Sequence, residues 1–384
     1  MFYDPGINSA TQGPAGLAGS GRYRIEQDVR KYDIALIPGD GIGRDVVEQG
    51  VRVLDRLAEI DGGLQFQYTE YPYSCQYYLE HGRMMDEDAL ERLGQHHAIF
   101  LGACGFPGVP DHVSLWGMLL PIRKTFDVWV NLRPVRLLPG VAGPLADRGP
   151  DDIDFVIVRE NTEGEYAGVG GRVHPGAPHE TAMQTAVFTR TATERIIRYA
   201  FDLARKHGRT SVQSATKSNA CQYSMVFWDE VFADVSAGYP EIEASQYHVD
   251  ALSARFVTHP HTLDVVVGSN LFGDILSDLG GALMGSLGLP PSANINPDGG
   301  APGLFEPVHG SAPDIAGKGV ANPIAAIWSA SMMLEDIGEP DGAAAIMEAI
   351  ERVVAAGTAR TPDLGGASTT SDVGDAVIAA LDSR

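Results

Sequence analysis

Between Gly268 and Gly288 the sequence GSNLFGDILSDLGGALMGSLG carries two aspartates, Asp274 and Asp278, four residues apart, with no lysine or arginine in the segment. In a helix beginning near Asn270, an expected N-cap, this spacing stacks the two carboxylates about one turn apart on one face. Leu271, Ile275, Leu279 and Ala282 make the adjoining apolar stripe. Like charges at this separation repel, and a divalent cation would relieve the repulsion. A solvated helix face also carries such pairs, so the spacing alone leaves both readings open.

Other segments hold reactive residue types. PIRKTFDVWVNLRPVR, residues 121–136, places Arg123, Lys124, Arg133 and Arg136 against the single acid Asp127 in a chain of net charge −22. Local cations in an acidic protein suit a small anion. VRENTEGEYAG offers Arg159 and Tyr166, TKSN offers Lys217, and HVDAL offers Asp250. Taken singly, these read as a packed ring, a solvent-facing amine and a helix cap. EPVHGSAPDIAGKGVANP, residues 306–323, mixes turn formers with His309, Asp314 and Asn322, as a nucleotide-holding loop or an ordinary surface loop would.

The elements that must position these groups alternate. YDIALI runs as a strand into PGDGIG and then into a helix over Asp45–Glu59. Further strands are expected at Leu64–Glu70, Ala98–Leu101, Asp154–Arg159, Ser211–Thr216 and Asp264–Gly268. Helices are expected at Thr191–His207, Gln222–Ala233, Leu271–Gly285, Pro323–Ile337, Gly342–Ala355 and Val373–Leu381. Alternation of this kind argues for an α/β protein, and 384 residues argue for two domains. PGDGIG is not GxGxxG, and no GxxxxGK[ST] is present, so neither a Rossmann dinucleotide fingerprint nor a P-loop has support. Residues 1–31 are rich in Gly, Ala, Ser and Pro and read as a flexible extension.

Composition excludes several classes. The acidic balance opposes nucleic-acid and anionic-membrane binding. No apolar run approaches a membrane span, and the N-terminus lacks a basic region followed by an apolar core, so a cytoplasmic protein is expected. Cys75, Cys104 and Cys221 are odd in number, far apart and without CxxC spacing, which reads as reduced thiols or core fillers and not as a zinc site or disulfide framework.

The ordered series IPGDGIG, NLRPVR, VRENTEGEY, TKSN, VDAL, NLFGDILSD and HGSAPDIAGKGVANP resembles the β-decarboxylating dehydrogenases related to isocitrate and isopropylmalate dehydrogenase, from about Tyr32 to the C-terminus. The resemblance implies an isopropylmalate dehydrogenase-like two-domain α/β fold, not a Rossmann fold. It implies a large cofactor-binding domain from residues 32–126 plus 288–384, and a small substrate and dimerisation domain from 127–287. By the same resemblance Asp250, Asp274 and Asp278 hold Mg²⁺ or Mn²⁺, Arg123, Arg133 and Arg159 grip substrate carboxylates, and Tyr166 and Lys217 move protons. Lys217 can serve as base only when neutral, which nearby cations would favour. The nicotinamide lies near PGDGIG, and His309, Gly310, Ser311, Ala312, Asp314 and Asn322 hold the adenosine end. A carboxylate at Asp314 accepts from ribose hydroxyls and repels a 2′-phosphate, so NAD is expected over NADP, with K⁺ as an accessory ion to test.

Within the family, DHVSLWGMLLPIRKTFDVWVNLRPVRLLPG and TKSNACQYSMVFWDE are most similar to the branch acting on D-malate, with the tartrate branch close behind. The implied reaction is oxidative decarboxylation of a 2-hydroxy dicarboxylic acid, D-malate to pyruvate and CO₂, with tartrate, a 3-alkylmalate such as 3-isopropylmalate, or an unusual biosynthetic substrate as alternatives. A non-catalytic regulatory paralogue ranks below these because the site is complete. Isocitrate dehydrogenases place a serine and an asparagine where Gly117 and Leu119 stand here, which argues against isocitrate. Trp116 is a candidate ring at the substituent pocket. The resemblance also implies a homodimer whose active sites are shared, Lys217 and Asp250 reaching into the partner's site.

Overall fold

The computed structural model describes residues 29–383. The expected extension over 1–31 lies outside them except for its last three residues, where Arg30 already opens the first strand. Twelve strands are described: β1 (Arg30–Gly39), β2 (Leu64–Glu70), β3 (Ala98–Ala103), β4 (Val130–Arg136), β5 (Asp154–Glu160), β6 (Gly164–Val173), β7 (Thr181–Val187), β8 (Ser211–Thr216), β9 (Glu243–His248), β10 (Val265–Gly268), β11 (Pro291–Ile295) and β12 (Gly303–Pro307). Ten form one sheet in the order β2-β1-β3-β12-β11-β4-β5-β10-β8-β9, while β6 and β7 make a separate hairpin.

Each flank of the sheet is parallel, β2-β1-β3-β12 on one side and β5-β10-β8-β9 on the other. The strands between them pair antiparallel, β12 with β11, β11 with β4 and β4 with β5. This is not the 3-2-1-4-5-6 order of a doubly wound dinucleotide fold. The first flank joins the two ends of the chain. Its strands alternate between two apolar layers: Ile34, Leu36, Ala98, Phe100 and Phe305 enter the larger cluster, and Ala35, Ile37, Ile99, Leu101 and Leu304 enter a second one on the opposite face. Burial on both faces explains why these strands read as continuous apolar runs.

Strand β4 escaped the sequence reading because NLRPVR looks like a polar turn. Its pairing with β11 covers only Val130 to Leu132, so Pro134 meets β5 alone and its missing N–H costs no bond to β11. Among the described residues no helix is long and apolar enough to cross a membrane.

Candidate active site

The Asn270–Leu283 helix follows β10 with Ser269, not Asn270, as N-cap. It turns Gly273, Leu276, Ser277, Gly280, Gly281 and Leu283 inward. Glycine is required there: a Cβ at Gly280 would lie 2.5 Å from Val135, and one at Gly273 would lie 2.6 Å from the Arg159 side chain. The apolar stripe is therefore the outer one, with Ile275 53% exposed and Leu271 and Leu279 half-buried. An inward face of small residues carries little hydropathy, so periodicity does not mark it.

The close seat of this helix on β4 and β5 brings the expected substrate and metal residues together. Arg159 Nη1 donates to Asp274 Oδ1 at 2.5 Å, while its Nε and Nη2 both reach Asn270 Oδ1, at 3.1 and 2.7 Å. Arg133, on the neighbouring strand, donates to Ser277 Oγ at 2.5 Å and to Asp274 Oδ1 at 3.4 Å. Tyr166 Oη donates to Asp274 Oδ2 at 2.9 Å. Arg123, from the Leu120–Thr125 helix, pairs with Glu306 Oε1 at 2.9 Å, both buried. Three guanidiniums thus surround the Asp274 end of the site, and Asn270, Ser277 and Glu306 join them without having been assigned there by sequence reasoning. Glu306 opens a quoted motif, and its position there was the available signal.

Electrostatics separate the two aspartates. Burial pushes the Asp274 carboxyl up, but Arg159, Arg133 and the Tyr166 hydroxyl outweigh it and hold it below the usual carboxylate range. Burial raises Asp278 and the Asp274 charge adds to the rise, with Arg133 pulling the other way. Burial and the Asp274 charge raise the Tyr166 phenol, which leaves it protonated at neutral pH and able to donate. Asp278 holds no hydrogen bond to another described residue, so its charge faces open space one turn from Asp274. This all-oxygen donor set fits a hard divalent cation such as Mg²⁺ or Mn²⁺.

A cavity of about 210 Å³ joins these groups, lined on the charged side by Arg123, Arg133, Arg159, Tyr166, Asp274 and Glu306 and continuing to His309 and Gly310. Leu115, Leu119 and Leu120 line its apolar side. A π-turn over Leu115–Leu119 decides which residues face inward. Gly117 backs onto Met84, 2.6 Å from where its Cβ would be, so position 117 does not address the substrate. Trp116 is corrected too: 42% exposed, it lies outside the cavity against Gly168 and beneath Lys124, whose Nζ is 4.9 Å from the ring centroid.

Lys217 and Asp250 form a second cluster. Strands β8 and β9 run parallel with Thr216 opposite His248, so the residues just past their ends become neighbours. Lys217 Nζ donates to Asp250 Oδ1 at 2.5 Å, and this bond holds Asp250 below the usual range. The side chains are 28% and 67% exposed and line no part of the arginine cavity. Within one chain the structure therefore brings together all the expected substrate and metal residues except Asp250, and one of the two proton-moving residues.

The expected nucleotide loop lies against the PGDGIG turn, where Ile42 N donates to Ser311 O at 2.8 Å. A Cβ at Gly41 would lie 2.0 Å from that same oxygen, and Gly41 has φ +57°. Ala312 adopts φ +38° and Asp314 is exposed at the loop tip. His309 is half-buried, with Nδ1 against Gly310 O at 2.9 Å and a buried Nε2 without a partner. Asn322 Oδ1 accepts from Ile324 N at 3.1 Å, at the start of the Ile324–Asp336 helix, and its Nδ2 donates to Asp363 at 3.0 Å, in the Pro362–Leu364 turn.

Residues 33–377 match the protein family described as isocitrate/isopropylmalate dehydrogenase. A probable tartrate dehydrogenase/decarboxylase of Bacillus subtilis is 54% identical over 354 residues, 92% of this chain and 99% of its own. A D-malate dehydrogenase [decarboxylating] of Escherichia coli is 54% identical over 351 residues, 90% of this chain and 97% of its own. Among solved structures, isocitrate dehydrogenase from Methylococcus capsulatus superposes with a TM-score of 0.82 at 37% identity, covering 91% of this chain and 99% of its own. The two-domain dehydrogenase fold expected from the sequence is thereby shown.

Proposed function

The chain belongs to the isocitrate/isopropylmalate dehydrogenase family and is a decarboxylating dehydrogenase, and on that premise we propose that it oxidises D-malate with NAD, giving pyruvate, CO₂ and NADH. The observation that carries this reading is the cavity in which Arg123, Arg133, Arg159, Tyr166 and Asp274 converge opposite a leucine wall. Planar guanidiniums match the two carboxylates of a small dicarboxylic acid. The leucines suit a methylene at the third carbon; tartrate would present a second hydroxyl to a wall without polar partners there. Leu119, which lines the cavity where an isocitrate dehydrogenase would carry asparagine, offers no grip for the third carboxylate of isocitrate.

Asp274 and Asp278, with Asp250 of the partner subunit, would hold a divalent cation, which when bound supplies a Lewis acid for the substrate hydroxyl and the ketone formed from it. NAD, which the loop from His309 to Asp314 would hold, would supply the acceptor for the hydride at the second carbon. Lys217 of the partner subunit takes the hydroxyl proton. The arginines keep the departing carboxylate in the cavity until its carbon–carbon bond breaks, and Tyr166 returns a proton to the third carbon. Because Tyr166 and Asp274 are hydrogen-bonded at 2.9 Å, the acid and one metal ligand are positioned by the same contact.

A homodimer fits this reading. A second copy would cover the exposed Leu271–Ile275–Leu279 stripe and bring Lys217 and Asp250 to an arginine cavity that lacks both. The division into a cofactor-binding unit, 32–126 plus 288–384, and a substrate unit, 127–287, is supported by β1, β2, β3 and β12 sharing one flank of the sheet. In the cofactor unit, Asp314 at the loop tip favours NAD over NADP. The test is a panel of NADH and NADPH formation from D-malate, tartrate, 3-isopropylmalate and isocitrate with Mn²⁺ and K⁺. The highest kcat/KM is expected for D-malate with NAD; a higher value for tartrate would move the substrate assignment to it.

A further inference from the structure

Apart from the arginine cluster, one group of metal-ligating side chains comes together from distant parts of the sequence. Cys75 Sγ and Cys104 Sγ, 29 residues apart in the chain, lie 4.0 Å from each other. With a carboxylate oxygen of Asp40 they form three donor atoms all within 4.8 Å. The sequence argument against a zinc site rested on missing CxxC spacing, and the fold supplies by tertiary contact what the spacing lacks.

The separation is informative. A disulfide requires sulfurs about 2 Å apart. Two thiolates sharing a tetrahedral zinc, each at about 2.3 Å from the ion, sit roughly 3.8 Å from one another. The observed 4.0 Å is too long for a disulfide; it is the contact distance of two thiols and also close to that of two ligands around one ion. Asp40 is also held like a ligand: Oδ2 accepts from Cys75 N at 2.9 Å and Gly105 N at 3.1 Å, and Oδ1 from Gln76 N at 3.3 Å. These bonds fix the carboxylate and leave lone pairs free. Asp40 and Cys75 are buried, whereas Cys104 is partly exposed and lines the arginine cavity, which gives an ion a route inward.

We propose that Asp40, Cys75 and Cys104 bind one zinc ion, at a site separate from the oxygen ligands Asp274 and Asp278, with a solvent water as fourth ligand. Burial raises both thiols, Cys75 to about 11, so both are protonated at neutral pH. Binding forms two zinc–sulfur bonds and one zinc–oxygen bond while two thiol protons leave to solvent. The protein cluster carries one negative charge before, from Asp40, and one after, from two thiolates, one carboxylate and the dication. Loading thus adds no net charge to a buried place. Because Asp40 belongs to the PGDGIG turn and Cys104 to the cavity wall, zinc would tie that turn to the substrate site.

The test uses the full chain, reduced and freed of metal by a chelator, with Co²⁺ as the spectroscopic substitute for zinc. Cobalt bound by thiolate gives a charge-transfer absorption in the near ultraviolet that oxygen ligands do not. The absorption is expected to saturate at one equivalent, to be displaced by zinc, to persist in Cys221→Ser and to vanish in Cys75→Ser and in Cys104→Ser. The wild-type chain gives an independent reading in weak buffer: zinc should release two protons per ion bound. Absence of the absorption, its survival in Cys75→Ser, its loss in Cys221→Ser, or zinc uptake without proton release would overturn the proposal. Loss of two titratable thiols on exposure to peroxide, with no cobalt absorption from the reduced chain, would also overturn it and identify a disulfide couple.

Discussion

The arginine cluster and the Lys217–Asp250 pair occupy opposite conditions in the same chain. In the first, Arg123, Arg133 and Arg159 are nearly sealed from solvent and bonded to Glu306 of β12 and to the Asn270–Leu283 helix, with the Nε of Arg123 and of Arg133 left without a partner among the described residues. In the second, two charged side chains satisfy each other alone, and Asp250 is largely exposed. A site completed within one chain has no need to display half its chemistry on an open surface. The contrast is the one the proposed shared site would produce, with one cluster built by folding and the other delivered by assembly.

The most direct way to break that contrast is complementation. Lys217→Ala and Asp274→Asn should each lower activity by about 10²–10⁴-fold, the usual scale for a lost proton-transfer group. In a mixed dimer one site collects both lesions and the other neither. Random exchange makes about half the dimers mixed, so roughly a quarter of wild-type activity should return. Assays after co-expression with two tags check this; inactivity despite confirmed mixed dimers would mean that the pair serves its own chain.

A second variant attacks the surface between copies. Ile275→Asp places a charge in the exposed stripe, and light scattering after gel filtration should show the mass falling from dimer to monomer, with activity falling alongside. A fully active monomer would remove the need for a shared site. The third and smallest effect concerns stability. Glu306→Ala leaves the buried Arg123 without its counter-charge and should cost about 3 kcal/mol in denaturant unfolding, whereas Asp250→Ala should leave the thermal midpoint of the metal-free protein where it was. Equal losses would show that the two clusters do not differ in structural role.

Much of this was legible in the sequence, and the exceptions share a cause. Strands buried on both faces, such as VVVG of β10, declare themselves by composition. The arginines, Tyr166 and the two aspartates could be named because each stands in a short motif whose order is retained. Strand β4 was hidden because it carries two arginines, Arg133 and Arg136, and its proline sits where the partner strand has ended. The inward face of the Asn270–Leu283 helix could not be read because close approach to Arg159 and Val135 selects glycine, which periodicity does not count as apolar. The Cys75–Cys104 contact was invisible because proximity across β3 and the Cys75–His81 helix has no sequence spacing to read.

The sheet's strand order also sets a timetable for synthesis. Strand β12 lies between β3 and β11, and β11 lies between β12 and β4. Until residues 291–307 leave the ribosome, β3 and β4 each present an unpaired edge, no strand joins the one to the other, and Arg123 lacks Glu306, 183 positions downstream. A nascent chain of 290 residues thus holds Asp274 and Asp278 yet carries two exposed, adhesive edges. Its last quarter closes the sheet and completes the substrate cavity in a single insertion, so translational arrest just before β11 would yield an aggregating fragment, not a slow enzyme.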